Sequence, residues 1–230
     1  VGDLDGSFHC VNAKTGEQIW KHQTEMKIVS SANFHEDTVL VGSWDYNLYC
    51  FDTRTGELKW TFENPAQVNC SPCVVEGVAA ISGCDGGLHL IDLETGKEQK
   101  SIPLAGYVAA SVAYGGGHYY VPSFKGEMFS VSAEKVEIKW TELADKPNVS
   151  FYASPAVTDK YVYFGDRAGT VRCLNREDGE AVWTVETDGE GHFAPTSGRG
   201  GDIGTMFRMA NIAQLSNDAS RATRFRQAFW

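Results

Sequence analysis

Gly42-Ser-Trp-Asp-Tyr-Asn-Leu-Tyr-Cys-Phe-Asp-Thr-Arg-Thr-Gly-Glu-Leu-Lys-Trp60 is the stretch on which the fold turns. Residues 2–20, 83–100, 123–140 and 165–183 align with it. Trp20, Trp60, Lys100 and Trp140 follow one another at intervals of 40, and Trp183 comes 43 after Trp140. A second echo runs through Ser31-Ala32, Ser71-Pro72, Ser111-Val112, Ser154-Pro155 and Ala194-Pro195. In the second copy, short apolar runs at 29–34, 38–42, 48–52 and 57–62 read as four strands, innermost to outermost. One such small sheet cannot cover both of its apolar faces, so the copies must stack around an axis. The expected fold is all-β: a β-propeller of four-stranded antiparallel blades, about five in number, or a fragment of a seven- or eight-bladed ring.

The recurrent residues have structural jobs. Asp52 with Thr55-Gly56 suits a tight turn between the third and fourth strands, where the carboxylate takes the turn's N–H groups and Gly supplies a positive φ. Asn12 with Gly16, Asp92 with Gly96 and Asp178 with Gly179 repeat it. Each Trp (Trp20, Trp60, Trp140, Trp183) is expected between blades, with a small residue ten positions earlier (Cys10, Cys50, Ser130, Cys173) leaving room for the ring. The third copy has Lys100 in place of Trp, and the fourth has Lys135-Val136 in place of Thr-Gly, so each is read as having one weakened anchor.

The pattern small-x-Asp-x-x-Thr-Gly-x-x-x-Trp resembles the tryptophan docking motif of the pyrroloquinoline-quinone (PQQ)-like repeat family, over residues 1–196. That family includes quinoprotein dehydrogenases, the propeller lipoprotein of the bacterial outer-membrane assembly machinery, and sensor or accessory domains of larger enzymes and kinases. The resemblance to its non-enzymatic branch implies a non-catalytic protein-interaction or scaffold propeller. The alternatives are a sensor or accessory domain of a larger enzyme or kinase, and a fragment of a quinoprotein dehydrogenase. The dehydrogenases place their quinone over an adjacent Cys-Cys disulfide beside a calcium ion. This chain has six Cys and no adjacent pair, and no Asp-x-Asp-x-Asp-Gly loop; Asp3-Leu-Asp5-Gly6 aligns with a blade turn. No cofactor, metal site or catalytic residue is therefore expected.

Charge points the same way. The net charge of −10 divides into −13 over residues 1–196 and +3 over 197–230, which argues against nucleic acid as a partner. No run of 18 apolar residues is present for a membrane-spanning helix. Cys70-Ser-Pro-Cys73 has redox-pair spacing but falls on an innermost strand, where burial as small hydrophobes is expected. The six His show no zinc spacing, and Gly115-Gly-Gly117 reads as a hairpin turn. Unpaired thiols fit a reducing compartment, whereas the resemblance implies a periplasmic or extracytoplasmic one, so localisation stays open.

Propellers bind partners at one end of the axis, through loops entering the innermost strands and turns joining the second to the third. The first set offers Lys27, Gln67, Tyr107, Asn148, Phe151, Tyr152 and His192; the second offers Trp44, Asp45, Tyr46, Asp85, Phe124, Lys125 and Arg167. Aromatic tips of this kind suit a protein or peptide partner, and the central channel is open to a small-molecule ligand. The loop at 143–150 is three residues longer than its siblings. The blades are expected at about 1–25, 26–65, 66–105, 106–148 and 149–190, with a partial strand at 193–196. Residues 1–25 supply only three strands, so 193–196 would complete that blade in a closed ring. Residues 197–230 break the pattern and read as an atypical tail, helical in spacing or disordered.

Overall fold

The third strand of the second and third repeats is apolar on both faces: Leu48, Cys50, Phe51, Leu88 and Ile91 are all fully buried. Such a strand must lie between two other sheets. The structure, a computed structural model, describes residues 1–187 except 105, 109 and 146–148. The expected strand at 193–196 and the tail at 197–230 lie outside the described residues, as do Asn148 and His192.

A two-stranded sheet of β1 (Ser7–Val11) and β2 (Gln18–Gln23) opens the chain, and Gly2 adds one bridge opposite Phe8. Four four-stranded antiparallel sheets follow. They comprise β3 (Asn33–His35), β4 (Thr38–Gly42), β5 (Asn47–Asp52) and β6 (Leu58–Glu63); then β7 (Cys73–Val75), β8 (Val78–Ser82), β9 (Gly87–Asp92) and β10 (Glu98–Pro103). After these come β11 (Ala113–Gly115), β12 (His118–Pro122), β13 (Glu127–Ser132) and β14 (Ile138–Leu143), and finally β15 (Ala156–Val157), β16 (Tyr161–Gly165), β17 (Thr170–Asn175) and β18 (Ala181–Glu186). Strands consecutive in sequence pair in every sheet, which is the meander of a propeller blade. Gly116 and Gly117, both at positive φ, make the two-residue turn between β11 and β12.

The serine echo is a belt joining the blades at their inner ends. Ser31 N–H donates to Ser71 Oγ (2.8 Å), Ser71 N–H to Ser111 Oγ (2.9 Å), and Ser111 N–H to Ser154 Oγ (2.9 Å). This is why β3 is shorter than the expected 29–34. Ser31 gives its N–H to the next blade, and Ser30 Oγ bonds across to the N–H (2.9 Å) and C=O (2.8 Å) of Gly42. Cys70 takes the place of Ser30 one blade later, with its thiol donating to Ser82 O at 2.6 Å. Burial pushes the Cys70 thiol up to about 11 and that of Cys73 up to about 12. The Cys-x-x-Cys spacing thus belongs to packing, and a thiolate is disfavoured at either position.

The indoles join the blades at their outer ends. In all five sheets the register slips by one residue just before the Trp position, a β-bulge that aims its side chain. Trp20, Trp60 and Trp140 each reach the next blade and donate from Nε1 to the carbonyls of Thr53 (3.0 Å), Leu93 (2.9 Å) and Arg176 (3.0 Å). Their rings lie flat on Gly56, Gly96 and Gly179, where a Cβ would come within 2.6, 2.6 and 2.7 Å of the indole. Those glycines, at φ of 73°, 70° and 79°, are required both for the turn and for the approach. Beneath them, the backbone N–H of Thr55 bonds to Asp52 and holds its carboxyl below the usual carboxylate range. Each Trp is also the cross-strand partner of its small residue: Cys10, Cys50, Ser130 and Cys173 face Trp20, Trp60, Trp140 and Trp183.

One expectation is corrected here. Because a Trp docks on the turn of the following blade, the two weakened anchors are a single boundary, between the third and fourth blades. There Lys100 replaces Trp, Val136 (φ 54°) replaces Gly, and Leu90, the partner of Lys100, replaces the small residue. Lys100 Nζ donates to Glu134 O at 3.1 Å, while Leu90 and Val136 pack in one apolar cluster. Aliphatic volume from both sides occupies the space an indole fills elsewhere.

Candidate partner-binding face

At one end of the blades, three of the described interblade loops are bonded through their backbone to the turns of both blades they connect. Ile28 N–H donates to Asp3 O (2.9 Å) behind it, and Lys27 O accepts from Trp44 N–H (3.0 Å) ahead. Val108 N–H donates to Gly83 O (3.2 Å), and Tyr107 O accepts from Phe124 N–H (2.7 Å). Phe151 N–H donates to Ser123 O (3.1 Å), and Ser150 O accepts from Arg167 N–H (3.1 Å). The loop at 64–72 differs: Val68 N–H donates to Ser43 O (3.1 Å) behind it, while its forward tie is a side-chain one, from Asn69 Nδ2 to Cys84 Sγ (3.1 Å). The two loop sets read from the sequence therefore meet through backbone bonds at Lys27/Trp44, Tyr107/Phe124 and Ser150/Arg167.

That rim sorts its side chains into anchors and display. Ile28, Val68, Val108 and Phe151 hold equivalent anchor positions and are 0–3% exposed. Phe151 was expected on the surface; instead it is core, stacked edge-to-face on Phe164 at 4.9 Å. The loop insertion shifts the alignment by three residues, and Ser150 is the true counterpart of Lys27, Gln67 and Tyr107.

The display positions change character around the rim. On the second blade Lys27 Nζ stands 3.3 Å over the Trp44 ring, with both residues half-buried, and Tyr46 occupies the exposed turn at φ 73°. Gln67 is half-buried beside the third blade. On the fourth and fifth blades a continuous stripe appears. Tyr107 is 64% exposed, Phe124 packs edge-to-face on Tyr152 at 4.8 Å, and the Arg167 guanidinium lies 5.7 Å from the Tyr152 ring. Lys125 is exposed, its stem close over Gly106. Neither Lys125 nor Arg167 forms an ion pair among the described residues. On an acidic chain, two unpaired cations among aromatic rings make a surface complementary to acidic and apolar groups.

Beneath the rim, in four of the five blades, the third residue of β1, β5, β9 or β17 is tied to an acid of its own turn. His9 meets Asp3 at 3.1 Å, Tyr49 OH donates to Asp45 at 2.9 Å, and buried Arg172 pairs with buried Asp166. His89 is gripped from both sides, by Asp85 and Glu98, each at 2.6 Å. The absence of zinc spacing among the six His gives no hint of these ties. The available signal was the recurrence of an Asp four or six residues before His, Tyr or Arg in four of the five copies.

The His89 clamp carries a pH prediction. Burial pulls the imidazole down, but its hydrogen bonds to Asp85 and Glu98 outweigh that, and the net shift is upward. For Asp85 burial pushes upward, yet the bond to His89 wins and the carboxyl is held low. The imidazolium's contribution is complete below the ordinary histidine value of about 6.5 and is lost as pH rises through the raised value. The Asp85 contribution is present above the ordinary aspartate range and is lost as pH falls through the lowered value. Thermal stability is thus expected to decline as pH rises above the ordinary histidine value and through the raised one, and His89→Gln to flatten that decline. A variant keeping the full decline would show that His89 is not its source.

Meandering four-stranded sheets tied by indole-on-glycine contacts define a β-propeller of the PQQ-like repeat class. A family model described as "Outer membrane protein assembly factor BamB" matches residues 85–203, more than half of the chain, and the chain belongs to that family. Outer membrane protein assembly factor BamB of Escherichia coli (strain K12) and that of Shigella dysenteriae serotype 1 (strain Sd197) are each 47% identical over 45 residues, 17% of this chain and 12% of the relative. The crystal structure of BamB from Moraxella catarrhalis superposes with a TM-score of 0.68 at 14% identity, covering 82% of this chain and 59% of that one. The computationally designed Ika8 protein gives 0.74 at 14% identity, covering 84% and 60%. At that identity the superpositions speak to the fold. The chain spans less than two thirds of these relatives. No helix of the described residues is long and apolar enough to cross a membrane.

Proposed function

We propose that this chain is a non-catalytic scaffold propeller that holds a protein or peptide partner against the rim of its fourth and fifth blades. The observation that carries the reading is the stripe of Tyr107, Phe124, Tyr152 and Arg167 with Lys125 beside it. Exposed aromatics and arginine are the residue types that dominate binding energy in protein interfaces. The backbone ladder under them pre-organises the surface, so little ordering entropy opposes binding. Family membership supports the same reading, because its described member is an assembly factor for outer membrane proteins, and it directs the search for partners to that assembly process.

The test is capture of assembly components by the purified chain, compared with a Tyr107→Ala/Tyr152→Ala/Arg167→Ala variant. All three side chains project from the rim, so the variant is expected to keep its thermal midpoint within a few degrees. Partner recovery is expected to fall at least about tenfold, as for loss of interface hot spots. Equal recovery by a folded variant would remove this rim from consideration.

A further inference from the structure

Imidazole chemistry limits what His89 can do where it sits. Nε2 lies 2.6 Å from Asp85 Oδ2 and Nδ1 lies 2.6 Å from Glu98 Oε1, on a residue only 8% exposed. A neutral imidazole carries one N–H, so it donates to one carboxylate and turns a lone pair on the other. Both bonds together require the imidazolium. The charged groups that act on the ring are Asp85 from its own turn and Glu98 from β10. Ser101 stands opposite His89 in register, and the preceding blade offers the Phe62 ring at 6.1 Å.

The two carboxylates are not held alike. The Asp85 side chain is 14% exposed and also draws on the Asn64 amide and the Gly87 N–H. That of Glu98 is 36% exposed, and the imidazole is its one hydrogen-bond partner among the described residues. Loss of the proton therefore leaves the remaining N–H on Asp85, the carboxylate that burial penalises more, and turns Glu98 out to water. Glu98 is the first residue of β10, the outer strand whose Trp position holds Lys100. In β2, β6 and β14 the Trp at that position is half-buried, whereas Lys100 is exposed. The charged clamp thus fastens the one described outer strand that has no indole. In the first blade His9 meets Asp3 and Gln18 (3.3 Å) in the same way, but an amide can donate or accept, so that arrangement needs no second imidazole proton.

We propose that His89 and Glu98 form a pH-sensitive latch on the outer strand of the third blade. With His89 protonated, the latch pins the start of β10 to β9. With the proton gone, Glu98 swings out, β10 frays from that end, and the Asp85 tie keeps the rim turn in place. The latch is closed at acidic pH and opens as pH rises past the ordinary histidine value, the direction that the raised imidazole requires.

Native-state hydrogen exchange of the full chain, followed residue by residue, tests this. The pH runs from about one unit below the ordinary histidine value to about two units above it, with rates corrected for intrinsic exchange. Amides of β10 are expected to lose roughly tenfold in protection for each unit by which the clamp raises His89, a shift that titration of the ring protons gives in the same samples. Amides of β6 and β14, and those of Gly86, Leu104 and Val108 bonded to the rim turn, are expected to hold. Glu98→Gln copies the pairing of His9 with Gln18, so it is expected to fold as the wild type does and to flatten the pH dependence of β10. His89→Gln is expected to flatten it too. Three results would overturn the proposal: β10 protection indifferent to pH, a loss that persists in both variants, or a loss shared equally by β6 and β14. So would an equal loss at Gly86, Leu104 and Val108, because the carboxylate set free would then be Asp85.

Discussion

Arg172→Ala is expected to lower folding stability by about 3–5 kcal/mol, the cost of leaving one charge of a buried pair without its partner. The Arg172 and Asp166 side chains are 3% and 1% exposed. Arg172 also reaches Asp145 Oδ2 at 3.3 Å and stands 5.4 Å from the Phe151 ring, so its loss strips a polar and an apolar contact together. Asp166 is the hinge of the matter. Its Oδ1 accepts the Thr170 N–H at 2.9 Å and holds the turn that carries Arg167. Once deprived of the guanidinium, the carboxylate has only that bond to offset desolvation. Adding Asp166→Asn to Arg172→Ala should recover part of the loss, since a neutral amide costs less to bury. Urea unfolding of the wild type, the single variant and the double variant decides this. A single variant within 1 kcal/mol of wild type would mean that water reaches the pair freely. The loosened turn should also lower partner capture, which ties the buried pair to the displayed Arg167.

Gly96→Val has the second largest expected effect, about 3 kcal/mol. A β-branched residue at φ 70° is strained by roughly 1–2 kcal/mol, and its side chain must evict the Trp60 ring that lies 2.6 Å from the Cβ position. The same residue type is tolerated at Val136, one blade on, because Lys100 and Leu90 stand where Trp60 and Cys50 stand. Transplanting the whole solution should therefore work where one part fails. Gly96→Val combined with Trp60→Lys and Cys50→Leu is expected to cost at least 1 kcal/mol less than the sum of the three single changes, a coupling within the range for residues in contact. Strict additivity would show that the three positions do not act as one unit.

Much of this molecule could be read from its sequence. The Trp positions at intervals of 40 and 43 gave the blades, because a period of that length with four short apolar runs has few structural solutions. The roles of Gly56, Gly96 and Gly179 followed from turn chemistry, which is local. The candidate rim was legible as two sets of loops, and the ladder pairing Lys27 with Trp44 and Tyr107 with Phe124 was not, since it joins segments 17 residues apart through backbone atoms that carry no sequence signature. Phe151 was misplaced for a related reason. An insertion of three residues slides the pattern, and only the hydrogen bond to Ser123 O fixes which residue is the anchor.

What the sequence determined by itself is the repeat: the blade, its turn, and the indole intended for a neighbour. What only the tertiary structure decided is which neighbour. An indole's burial is a property of two blades, so Lys100, Val136 and Leu90 look like scattered departures along the chain and become one repacked boundary in space.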